Sequence, residues 1–158
     1  MLESDDKDDR EQALALKDSW LSGACQVLVP TLWVFEVGNI LGIKRPASAR
    51  QLLQAMTDLE LEARAPQSYF EVIYRLMGRH KVTFYDASYH GLAIHTGGTF
   101  LTADAAYAKK TSPAGHVVPT TGLAYPEGSP FVTRINLVHD VYRLAGLERR
   151  DVVRRDFR

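Results

Sequence analysis

The sequence predicts an α/β layer structure on a largely parallel sheet, and three observations carry that prediction. Segments with apolar residues at helical spacing alternate along the chain with short apolar runs. The runs, such as Gln26–Val29 just before Pro30, suit strands covered on both faces. Glycine and proline fall between the segments, at Gly23, Pro66, Gly97 and Gly98, where a helix must stop or start. Strands and helices in alternation build layers with helices over a sheet.

Taken in order, Arg10–Leu21 reads as a helix, because Ala13, Leu16 and Trp20 share a face and Gly23 supplies a stop. Gln26–Val29 is the first strand. Thr31 is placed to cap the next helix, which runs to about Ile43; apolar almost all round, it is expected to be buried. Lys44–Ala47 is a loop, and Ser48 is placed to cap a helix to about Asp58. A short strand falls within Leu59–Ala65, and Pro66 opens a helix ending near Gly78. Phe84–His95 is a helix stopped by Gly97 and Gly98, Thr99–Thr102 a strand, Asp104–Lys110 a helix and His116–Pro119 a strand. Thr120–Pro130 has the glycine and proline content of a linker. Beyond it, Phe131, Ile135, Val138, Tyr142 and Ala145 form a helical stripe suited to docking on the domain or on a second subunit. The expected division is therefore a domain over residues 1–120, then a linker and helical extension over 121–158.

Length and charge bound the function. A chain of 158 residues fits one domain, and 46% hydrophobic residues suffice for a core. Lysine plus arginine equals aspartate plus glutamate, 19 each, so no net field draws the molecule to nucleic acid. Any RNA contact must come from a local patch or from metal ions. Charge gathers at the ends: residues 1–11 hold six acids and residues 143–158 six arginines, which read as solvated faces. Cys25 is the only cysteine, which excludes an internal disulfide and suits a reducing cytoplasm. The apolar run around Val27–Ile43 is interrupted by Pro30, Glu36 and Asn39 and does not read as a membrane span.

Glu36 is the most informative residue for chemistry, the only charge between Pro30 and Lys44. A carboxylate in apolar surroundings needs a partner, either a structural arginine or a divalent cation. Asn39 lies one turn on. Asp86 and Asp104 each open a helix, where a capping role is the ordinary one. Asp104 also follows a strand, and open α/β sheets bind ligands outside the carboxyl ends of their strands. Carboxylates gathered there would repel one another unless a cation held them, and oxygen-only ligation suits magnesium or manganese. His90 and His95 are five apart, off the spacing that aligns two imidazoles on one helical face. No phosphate-loop pattern and no GxSxG occurs.

Three blocks carry a family resemblance. Residues 29–41, Val-Pro-Thr-Leu-Trp-Val-Phe-Glu-Val-Gly-Asn-Ile-Leu, resemble the second block of the PIN-domain ribonucleases of the VapC toxin type. Residues 84–89, Phe-Tyr-Asp-Ala-Ser-Tyr, resemble the third, and residues 100–104, Phe-Leu-Thr-Ala-Asp, the fourth. Order and spacing match over roughly residues 5–120. The resemblance implies a three-layer α/β/α fold and metal-dependent hydrolysis of RNA phosphodiester bonds. It also implies a small antitoxin partner and a homodimer. Glu36, Asp86 and Asp104 fall on the family's acidic positions, as Mg²⁺ or Mn²⁺ ligands, and Thr102 on the hydroxyl two places before the last acid.

The front departs from the pattern. The family opens on a central strand ending in an aspartate, whereas this chain begins at the acidic stretch that should follow. The expectation is a sheet without its central strand, with unpaired backbone groups in the core and one carboxylate fewer. A start assigned too far downstream and a decayed copy both account for this. The leading expectation is an endoribonuclease toxin. Its rivals are an inactive domain that binds a protein or RNA, and a metal-dependent nuclease outside toxin systems.

Overall fold

The computed structural model describes residues 15–120 and the backbone of Phe131–Thr133. Residues 15–21 are helical (α1) and turn at Gly23, whose φ of 75° is one glycine adopts readily. Then come β1 (Val27–Pro30), α2 (Trp33–Lys44), α3 (Ala49–Thr57) and β2 (Glu62–Arg64). A 3₁₀ turn over Pro66–Tyr69 leads into α4 (Phe70–His80) and α5 (Phe84–Thr96). The described chain continues with β3 (Thr99–Thr102), α6 (Ala105–Thr111), β4 (Val117–Pro119) and β5 (Phe131–Thr133).

The five strands form one sheet in the order β2-β1-β5-β3-β4, and each neighbouring pair is parallel. All of β1 is buried, as a short apolar run in a parallel sheet should be. Its outer neighbour β2, Glu-Ala-Arg, is half-buried to exposed, and charge there blunts the sheet edge. Between sheet and helices lies one apolar core, in which Val37, Leu41, Met56, Ile73, Leu92 and Phe100 are at most 1% exposed. Helices α4 and α5 approach closely at Gly91, where an added Cβ would stand 3.1 Å from Ile73 Cγ1. The glycine hydrogen makes that crossing possible.

Several expectations are corrected here. The centre of the sheet is occupied: β5 pairs with β1 on one side (Leu28 with Val132) and β3 on the other (Leu101 with Thr133). Phe131 accordingly opens a strand and not a helix, because backbone pairing on both sides outweighs the helical spacing of its side chain. Ile135, Val138, Tyr142 and Ala145 lie outside the described residues, as do the acidic stretch and most of the proposed linker. Helix α2 is not buried all round. It gives the core one stripe, Trp33, Val37 and Leu41, while Phe35 and Ile43 are 76% and 65% exposed. Thr31 does not cap α2, since Leu32 holds the cap position, and Ser48 sits at the start of α3 without a side-chain capping bond. Among the described residues no helix is long and apolar enough to cross a membrane.

Candidate functional site

Topology alone brings the candidate residues to one edge of the sheet. From β1 the chain moves outward to β2, then returns to β3 and moves out the other way to β4. The direction reverses between β1 and β3, at the place β5 fills. In open α/β sheets this switch point, outside the carboxyl ends of the strands, is where ligands bind. Glu36 lies in the first turn of α2, just past the carboxyl end of β1. Asp104 lies just past the carboxyl end of β3. Helix α5 joins the start of β3 through Gly97 and Gly98 alone, so its other end points back toward the carboxyl edge. Its 13 residues span about 20 Å, longer than the strands beneath it. Asp86 stands in its first turn.

Locally each acid is held by a specific bond. Tyr89, buried on α5, donates its hydroxyl to Glu36 Oε2 at 2.8 Å. Burial, and then the Glu36 carboxylate, push the Tyr89 phenol far above its ordinary range, so it remains a donor at any physiological pH. A phenol is thus a partner of Glu36 that stood outside the arginine-or-cation choice. Asp86 sits in a reciprocal cap. Thr83 Oγ1 accepts from the Asp86 backbone N–H at 3.2 Å and donates to Asp86 Oδ2 at 2.6 Å. Asp104 is exposed and caps α6, its Oδ1 accepting from the Tyr107 N–H at 2.9 Å. Its own N–H donates to Thr102 Oγ1 at 3.1 Å, and Thr102 is 1% exposed. Thr102 therefore shapes the turn that presents Asp104.

The structure links Glu36 to α5 one turn from Asp86, and links Thr102 to Asp104. It does not draw the acids into one cage: among the described residues no three of His, Cys, Asp or Glu form a group able to hold a metal ion. Asn39 is exposed on α2. Behind the edge, His90 is wholly buried, with Nε2 2.7 Å from the Gly115 carbonyl and Nδ1 3.1 Å from the Tyr107 hydroxyl. A carbonyl can only accept, so Nε2 carries the proton and Nδ1 accepts from the phenol. Burial, opposed in part by the Gly115 carbonyl, lowers the His90 pKa and keeps the ring neutral.

Tyr89, Thr83 and Tyr107 were the partners that sequence reasoning passed over. Tyr89 had a legible signal, one helical turn after Asp86; Thr83 had another, a hydroxyl three residues before an acid. No protein-family model and no curated protein matches this chain.

Proposed function

We propose that this protein is a divalent-metal-dependent endoribonuclease of the PIN type, working as the toxin of a toxin–antitoxin pair. The observation that supports it best is the arrival of Glu36, Asp86 and Asp104, distant in sequence, at the carboxyl edge around one switch point. Among the described residues no three acids form one group, so the reading is of a cation held by one or two carboxylates. Magnesium is commonly bound so, with water and substrate phosphate oxygens completing its shell. When bound, such an ion supplies an activated water and charge neutralisation at phosphorus. Glu36 and Asp86, positioned by Tyr89 and Thr83, and Asp104, positioned by Thr102, are the residues from which those one or two ligands would be drawn. RNA as substrate, an antitoxin as partner, a homodimer and a cytoplasmic setting belong to this reading through the resemblance.

A second reading, an inactive domain that binds RNA or protein, is favoured by one observation. The strand at the centre of the sheet, Phe-Val-Thr, carries no carboxylate, whereas the resemblance calls for an aspartate there. Cleavage of RNA with Mg²⁺ or Mn²⁺, run beside Asp86→Asn and Asp104→Asn, separates the two. Cleavage that both substitutions abolish supports the enzyme. Mn²⁺ calorimetry with equal affinity in the parent and both variants would sink the metal assignment.

A further inference from the structure

Because the chain carries no net charge, any attraction for a polyanion must be local. Residues 72–85 and 105–120 contain Arg75, Arg79, Lys81, Lys109 and Lys110, all exposed, and no acid. The two segments meet: Lys110 Nζ donates to the Lys81 carbonyl at 3.0 Å, and His80 Nδ1 lies 3.2 Å from the Lys110 carbonyl. Among the described residues none of these cations forms an ion pair, although Glu71 stands one turn before Arg75. Cations suit the last turns of α4 and α6, where free carbonyls point outward, but that does not account for Arg75 or for the rings beside it. Phe70, Tyr74 and Phe84 pack in a triangle with ring centroids 6.0–6.4 Å apart, and Tyr74 is still 61% exposed. Single exposed apolar side chains are ordinary; rings gathered in the open mark a contact surface. Along the exposed side of α4 the ring row Phe70–Tyr74 and the cation row Arg75–Arg79 run beside each other, with Gly78 between them. A Cβ on Gly78 would meet nothing within 4 Å, so packing does not require glycine there, and helix propensity disfavours it. Glycine leaves a bare floor between the rings and the cations.

We propose that this side of α4, with the meeting ends of α4 and α6, binds single-stranded nucleic acid, its phosphates on Arg75, Arg79, Lys81 and the α6 lysines and a base against Tyr74. An unpaired strand presents open base faces, and aromatic rings beside a cationic track hold such a strand without reading its sequence. A duplex offers its phosphates alone, since its bases are already stacked. An acidic protein surface would satisfy the cations but brings no base to lay on Tyr74. The surface leads toward the candidate site, because Asp86 follows Lys81 by five residues in the first turn of α5. The inference rests on the nuclease reading for RNA as the strand, yet it needs neither metal nor cleavage.

Fluorescence anisotropy of the full-length chain in EDTA tests it, with a labelled RNA single strand of about 12 nucleotides and the duplex of that strand. The single strand is expected to bind more tightly than the duplex. Equal binding, or none with folded protein, overturns the proposal. Arg75→Gln with Arg79→Gln should weaken binding and reduce its salt slope by about 1.4. Lys44→Gln with Arg50→Gln, which removes the same charge from exposed positions on α2 and α3, should do neither. Equal losses from the two pairs would mean a net-charge effect and overturn the patch. Tyr74→Ala is expected to weaken binding about fivefold or more, and Tyr74→Phe to keep it. No loss in Tyr74→Ala, with helix content unchanged by circular dichroism, overturns the stacking. Gly78→Leu should weaken binding without lowering the melting temperature, and unchanged affinity there removes the floor from the surface. Stronger competition by polyglutamate than by unlabelled strand would make an acidic protein the partner, which also overturns the proposal. Cleavage with Mg²⁺ is read separately, so a failure of this surface and a failure of the nuclease reading remain distinct.

Discussion

Helices α2 and α5 are alike in sequence and opposite in placement. Both are rich in apolar residues on every side, with a single acid near the start, Glu36 in one and Asp86 in the other. Yet α5 is buried without a break from Ala87 to Ala93, while α2 buries only Trp33, Val37 and Leu41. The difference lies in their neighbours. Helix α5 lies against β1, β5 and β3 on one side and α4 on another, whereas α2 packs mainly on α3. Burial around the full circumference of a helix requires partners around it, and composition cannot supply them.

The strongest way to break this comparison is to truncate equivalent leucine-sized positions. Leu92→Ala on α5, at 0% exposure, is expected to cost about 2–5 kcal/mol, read by denaturant unfolding. A loss below about 1 kcal/mol would mean α5 is not the core helix. The link between the helices comes next. Tyr89→Phe removes the phenol that α5 donates to Glu36 on α2, and should cost about 1–3 kcal/mol, since the acceptor is a carboxylate. An unchanged unfolding midpoint would show that the bond contributes nothing.

A pH series sharpens the account of α5 further. Burial lowers the His90 pKa, so between the folded value and the unfolded value near 6.5 the unfolded chain binds more protons. Stability from this group is therefore intact above about pH 6.5 and falls as pH drops below it. His90→Gln should flatten that part of the profile in thermal melts between neutral and mildly acidic pH. Parallel profiles for parent and variant would refute the assignment. The smallest effect belongs to the exposed face of α2: Phe35→Ala should change stability by no more than about 0.5 kcal/mol. A larger loss in dilute solution would show that this face is covered by something outside the described residues.

Much of the local structure was legible. Apolar runs marked β1 and β3, Gly97 marked the end of α5 with a φ of 70°, and the Thr-x-Asp of β3 and its turn marked Asp104 as an end-of-strand acid. These signals are local, because a strand, a helix stop and a cap are each decided within a few residues. At the candidate site, Glu36, Asp86, Asp104 and Thr102 could be picked out one by one, but their bonds could not. Glu36 meets Tyr89 from another helix, across 53 positions of sequence, and no spacing rule reaches that far.

By itself, then, the sequence determined, within residues 15–120, which segments extend, which coil, roughly where they stop and which acids stand at their ends. Tertiary structure decided that Phe131–Thr133 is the centre of the sheet, that α5 is sealed and α2 half-open, and that a phenol holds Glu36. Backbone preference is a property of a few neighbouring residues. Burial and pairing are properties of what the rest of the chain brings alongside.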